Sequence, residues 1–287
     1  MLQASSTARE KMSEGAIREA ARVIQQADAL FITAGAGMGV DSGLPDFRGD
    51  EGFWRAYPPF KARGLTFVDM ANPSWFERNP AVAWGFYGHR LALYRQTLPH
   101  EGFRILRRWA ENMRFGAFVF TSNVDGQFQR AGFSEDAIVE CHGSIHHFQC
   151  TVPCHEQIWE ADAPITVDPS TFEASEPLPR CPRCGKLARP NVLMFGDWNW
   201  IADRTSAQER RWDEWLEEQR GASLAIVEMG AGSAVPTVRR TSEQIGRRKG
   251  ATLIRINPRE PEVPSGHLGI AGSAKAILQQ IEECMRA

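Results

Sequence analysis

At 287 residues the chain is long enough for one large domain with a satellite module, or for two modest domains. Hydrophobic residues make up 43% and charged residues 24%, the balance of a soluble globular enzyme. Thirty-three basic against 35 acidic residues leave a net charge of −2, which excludes a strong overall pull toward nucleic acid or an anionic membrane.

The opening stretch, Met1 to Arg22, is polar and lacks an apolar core ahead of a cleavage site. No run of about 18 apolar residues follows anywhere, so a cytoplasmic protein with no membrane span is expected. Residues 13–27 carry apolar side chains at helical spacing, with Ser13 as the expected N-cap. A short apolar run from Ala29 to Thr33 then ends in glycines, and similar runs recur at Ala117 to Phe120, Leu224 to Val227 and Thr252 to Ile256. Such short, bounded runs predict buried strands of a parallel sheet. Helical patterns at 79–96, 100–112, 204–220 and 236–249 separate them. The alternation predicts an α/β fold, a Rossmann-like parallel sheet with helices on both faces.

Between about 145 and 190 this rhythm breaks into a proline-rich, acidic stretch holding two close cysteine pairs. The predicted organisation is a Rossmann-like domain over 13–144 and 190–287, with a small inserted module over 145–189. Cys150-x3-Cys154 and Cys181-x2-Cys184 together offer four thiolates, enough to close a tetrahedral Zn2+ site. A site with no open position is structural rather than catalytic. His155, next to Cys154, is an outside candidate ligand. Cys141 and Cys284 stand apart and read as packing residues.

The first strand runs into Thr33-Ala-Gly35-Ala36-Gly37-Met-Gly39, a turn where backbone N–H groups can meet a pyrophosphate. The glycines alone are a weak signal, because a plain strand-to-helix turn uses them too. The continuation Ser42-Gly-Leu-Pro-Asp46-Phe47-Arg48-Gly49 is far more specific. It resembles the NAD-binding loop of the sirtuins, whose usual form is GAG-x-S-x-x-SGIPDFRG. Further segments follow in the family's order. Thr121-Ser122-Asn123-Val-Asp125-Gly126 resembles TQNIDG, and His142-Gly143 resembles the family's HG. Pro190 to Asp197 resembles its P-x-V-V-x-FGE, and Ile256 to Glu260 its IN-x-E.

That resemblance implies an NAD-consuming protein-lysine deacylase that releases nicotinamide and O-acyl-ADP-ribose, acting on acyl-lysine protein substrates. It places NAD against Gly35, Ala36, Gly37, Asp46, Phe47, Arg48, Ser122, Asn123, Asp125, Gly230, Gly232, Ser233 and Asn257. Asn123 and Asp125 would line the nicotinamide end, and Phe47 would cover the reactive sugar face. His142 would act as general base on the ribose hydroxyls, a task suited to an imidazole that titrates near neutrality. Phe195 and Gly196 would meet the substrate. Each residue also has a plainer reading: Asn123 and Asp125 as helix caps, Phe47 as core, Arg48 as a surface ion pair, His142 as packing.

Phe86-Tyr87-Gly88-His89-Arg90 adds a hint about the acyl group. Tyr87 and Arg90 lie three apart, on one helical face. The pair resembles the Tyr-x-x-Arg of class III sirtuins, which implies a grip on the carboxylate of succinyl- or malonyl-lysine. The plainer reading has Tyr87 in the core and Arg90 paired on the surface.

The sequence also departs from the family's pattern. Ser122 replaces Gln, Gly39 replaces Ser, and Gln127-Phe128 replace Leu-His. Gly230-Ala-Gly232-Ser233 stands where GTS is usual, which moves the hydroxyl contacts to Ser233. These changes keep open a mono-ADP-ribosyltransferase or NAD hydrolase, and an NAD-binding sensor with little turnover.

Overall fold

The computed structural model describes residues 2–45 and 50–287, with side chains from residue 14 onward. Strands β1 (Ala29–Ala34), β2 (Ala117–Thr121) and β3 (Ile138–Glu140) come first, then β4 (Gly143–Cys150), β5 (Trp159–Glu160) and β6 (Ala188–Val192). Strands β7 (Leu224–Met229), β8 (Ala251–Ile256) and β9 (Leu268–Ile270) complete the set among the described residues. Six of them form one parallel sheet in the order β3-β2-β1-β7-β8-β9. Numbered within that sheet, the order is 3-2-1-4-5-6, and the chain reverses direction of growth between β1 and β7. Such a switch point opens a crevice beyond the carboxyl ends of the two strands. Both strands are buried along their whole length, which is why they read as continuous apolar runs.

Helices Leu2–Gln25, Glu101–Glu111 and Ala274–Arg286 cover one face of this sheet, and Asp203–Glu218 with Thr237–Gly246 cover the other. The first helix begins well before Ser13, which lies inside it and does not cap it. Residues 2–12 contain neither glycine nor proline and are rich in good helix formers, so nothing stops the helix at Ser13. Inside the second layer, Arg255 of β8 bonds Glu228 of β7 at 3.1 Å and Glu243 of the helix Thr237–Gly246 at 2.9 Å. A charged pair on two central strands survives burial because every charge meets a partner.

The small antiparallel sheet has the order β5-β4-β6. It shares a second hydrophobic core with the helix Pro80–Gln96 and the short helices before it. The acidic stretch packs onto that helix: a Cβ at Gly85 would stand 1.9 Å from the carbonyl oxygen of Phe172. Phe172 itself is buried, with its ring against Tyr57, Phe60 and His89. Among the described residues no helix is long and apolar enough to cross a membrane.

Candidate active site

The turn after β1 and the turn after β7 touch backbone to backbone at the switch point. Gly35 donates to the carbonyl of Met229, and Gly37 to the carbonyl of Gly230, both at 3.0 Å. A Cβ on Gly35 would lie 2.8 Å from both Ala231 Cα and the Gly230 oxygen. One on Gly230 (φ +60) would lie 2.4 Å from the backbone of Gly37 and Met38. Two side chains here would prise the turns apart, so glycine is required at both positions.

The end of β2 closes onto the same point. Asn123 donates its side-chain amide to the Gly35 carbonyl at 3.0 Å, and Ser122 its backbone amide to Ala34 at 3.1 Å. From β8, Asn257 donates to the carbonyl of Ala231 at 2.9 Å. Its Oδ1 accepts from the amides of Arg259 and Glu260, so Asn257 braces the far edge of the crevice. The Ser233 hydroxyl donates to Glu260 at 2.7 Å, and its amide to the same carboxylate at 2.9 Å. Gly232, with Gly35, Ala36, Gly37, Gly230 and Ser233, therefore lies where two loops meet at the carboxyl edge of the sheet. Asp46, Phe47 and Arg48 lie outside the described residues.

His142 sits between β3 and β4, and a bond to the Ser122 backbone favours its protonated form. Burial is the larger influence and holds the imidazole below its usual range, so it is neutral near pH 7. The Leu193 amide donates to the His142 carbonyl at 2.9 Å, which brings the end of β6 alongside.

Asp125 follows two residues after Asn123. It accepts from the Gln127 amide at 3.0 Å, an Asx-type turn into the helix Gln127–Arg130, whose N-cap is Gly126, so Asp125 is not the helix cap of the plainer reading. Burial pushes its carboxyl up to about 6; nearby Glu140 adds to this, while the Gln127 amide and the Arg90 charge oppose it. With Tyr94, Ser144, His146, His147 and Arg204, Asp125 also lines a cavity of about 240 Å³.

Tyr87 and Arg90 are both buried, at 1% and 6% exposure, so Arg90 is not a surface residue. The guanidinium donates to the Tyr94 hydroxyl through Nε at 3.0 Å and Nη2 at 2.7 Å. The rings of Phe67, Phe86, Tyr87 and Tyr94 lie within 5.8 Å of it. The Tyr87 hydroxyl is buried without a hydrogen-bond partner among the described residues. Beyond β6, Phe195 is 40% exposed and Gly196 turns at φ +67. That turn is held by a buried ion pair, Arg189 to Asp197 at 2.6 Å.

In the small module the sulfur atoms of Cys150, Cys154, Cys181 and Cys184 all lie within 4.8 Å of one another. Two of the separations, Cys150–Cys184 and Cys154–Cys181, are 3.7 Å. Four thiolates about 2.3 Å from one tetrahedral ion stand about 3.8 Å apart, so the cluster fits structural zinc. His155 bonds the Cys181 sulfur through Nε2 at 3.3 Å and stands outside the set of four.

The Sir2 family model matches residues 35–215 of the chain. The chain belongs to the Sir2 family. Among its relatives is the NAD-dependent protein deacylase of Aquifex aeolicus, 31% identical over 82% of this chain and 85% of that protein. The NAD-dependent protein deacylase of Aeropyrum pernix is 29% identical over 91% of this chain and 94% of its own length. A mutant Sir2 homologue solved with ADP-ribose superposes with a TM-score of 0.70 at 26% identity, covering 93% of this chain and 95% of that one. A Sir2 homologue solved with NAD gives a TM-score of 0.68 at 26% identity, covering 93% of each chain.

Within this Sir2 fold, sequence reasoning missed three partners. Tyr94 is four residues from Arg90 on one helix face, so helical spacing could have paired them. Glu260 meets Ser233 across 27 residues and Arg189 meets Asp197 across a turn, and neither contact leaves a periodic signal.

Proposed function

We propose that the protein removes acyl groups from lysine side chains of other polypeptides, with NAD as the consumed co-substrate. The observation that carries this reading is the convergence of Gly35, Gly230, Asn123 and His142 at the switch point of the parallel sheet. NAD, when bound, supplies a ribosyl bond to nicotinamide whose cleavage makes the sugar carbon electrophilic.

The chain's own residues take the following parts. Gly35, Ala36 and Gly37 offer backbone approach to the phosphates, with Gly230, Gly232, Ser233 and Asn257 on the facing loops; the sirtuin resemblance assigns Asp46, Phe47 and Arg48, outside the described residues, to the same cofactor. Ser122, Asn123 and Asp125 receive the nicotinamide end. His142, kept neutral by burial, accepts a proton from a ribose hydroxyl. Phe195 and Gly196 meet the polypeptide. Cys150, Cys154, Cys181 and Cys184 would hold Zn2+, which would cross-link the two cysteine pairs within the module at 145–189, beside the Rossmann-like domain of 13–144 and 190–287, and would perform no chemistry.

The finer reading is a preference for acidic acyl groups, succinyl or malonyl over acetyl. It is supported by the buried Arg90 charge and by the unpartnered Tyr87 hydroxyl three residues away. A carboxylate placed between them would accept from both.

The test incubates the protein with NAD and matched acetyl- and succinyl-lysine peptides and follows products by mass. Deacylated peptide with O-acyl-ADP-ribose is expected. ADP-ribose formed without any acyl peptide would make it an NAD hydrolase, and unchanged NAD would make it a sensor.

A further inference from the structure

Trp198 is 96% exposed, whereas the other eight tryptophans are buried or half-buried. Its exposure is not the consequence of a loose loop, because the backbone on both sides is anchored. Just before it, Asp197 accepts from Arg189 at 2.6 and 2.9 Å and from the amides of Met194 and Asn199 at 3.3 and 3.2 Å. Just after it, the Asn199 carbonyl accepts from Gln149 at 2.7 Å. Two residues further on, the Ile201 amide donates to Gln149 at 3.1 Å and its carbonyl accepts from Asn191 at 2.8 Å. An indole in water on a fixed backbone is a pre-ordered binding element, since little further ordering is required when a partner covers it.

The same segment is tied to the candidate base. Leu193 donates its amide to the carbonyl of His142, and Phe195 to that of Ala71, both at 2.9 Å. Leu193 and Phe195 are 37% and 40% exposed, so with Trp198 three large apolar side chains reach solvent within six residues of the chain beside His142. In the deacylase reading above, Phe195 and Gly196 of this segment meet the polypeptide substrate.

We infer that Trp198 recognises an aromatic or large apolar side chain neighbouring the acyl-lysine in the substrate polypeptide, an inference that rests on the deacylase reading above. An aromatic side chain suits the indole face through stacking as well as area.

The experiment uses two acyl-lysine peptides that differ only in having phenylalanine or glycine beside the acyl-lysine. In the absence of NAD, binding of the phenylalanine peptide shields the exposed indole from acrylamide quenching, and the glycine peptide shields it less. With NAD, Trp198→Ala raises KM for the phenylalanine peptide roughly tenfold, with the loss in KM rather than kcat, and the glycine peptide loses far less. Trp198→Phe restores most of the preference. Equal losses for the two peptides, or quenching unchanged by either, overturn the proposal. So does self-association that Trp198→Ala abolishes, because a second copy of the chain is then the occupant. Shielding by the phenylalanine peptide without turnover of any acyl peptide leaves Trp198 as a peptide-docking residue and removes the deacylase reading instead.

Discussion

The side-chain amide of Asn123 donates to the carbonyl of Gly35 at 3.0 Å, tying the end of β2 to the glycine turn after β1. One residue thereby joins the predicted phosphate turn to the predicted nicotinamide end. Asn123→Ala removes the tie and the amide together. Turnover of an acyl-lysine peptide is expected to fall at least about 100-fold, while thermal unfolding shows a loss of only about 1 kcal/mol. Steady-state kinetics alongside a melting curve separate the two effects.

Asp125 carries a cost at neutral pH. Its folded pKa of about 6 lies above the usual carboxylate value of 3.8, so the folded state holds the proton more tightly. Stability from this group is complete below pH ~4 and is lost as pH rises through about 6, by about 3 kcal/mol at most. Asp125→Asn keeps an acceptor for the Gln127 amide and is expected to raise Tm at pH 7.5 while abolishing turnover. The gain should vanish near pH 4 in a series of melting curves; a gain constant with pH would contradict the buried-carboxylate account.

Arg90→Met keeps the bulk of the side chain among four aromatic rings and removes its charge. Desuccinylation should fall about 100-fold in kcat/KM, and deacetylation far less. Tyr87→Phe should show the same bias at smaller size, since one hydroxyl is removed from a site that already buries it. Paired rates on the two peptides check both variants.

The four-cysteine cluster predicts one zinc per chain by atomic emission. Cys181→Ser should lose the metal and unfold the module around β4, β5 and β6, with broadened near-ultraviolet signals from Trp84 and Trp159 in the shared core. A metal-free variant with unchanged melting would remove zinc from the account.

Much of this arrangement is legible in the sequence, for identifiable reasons. Strands β1, β2, β7 and β8 are buried on both faces, so they appear as short apolar runs, and their carboxyl ends carry the glycines and Asn123 and Asn257. Strands β3 and β9 have three residues each, too few to show any period. The helix Ala274–Arg286 and the early start of the first helix also escape the reading, the latter because Ser13 looks like a cap in a stretch with no helix breaker before it. Two sequence readings of Arg90 compete, and its burial against Tyr94 removes the surface-pair version. Ser233 shows how local reading falls short. Its hydroxyl already bonds Glu260, a residue 27 positions away, so its availability to a ribose depends on a contact that only the folded chain creates.

In the proposed reaction, His142 and its surroundings couple NAD cleavage to lysine deacylation. Counting nicotinamide released per deacylated lysine tests it most directly, for the wild type and for His142→Ala. One nicotinamide per deacylated lysine in the wild type, none without acyl peptide, and loss of deacylated product in His142→Ala are predicted. Nicotinamide released at the same rate with and without acyl-lysine, or deacylation undiminished in His142→Ala, would contradict it.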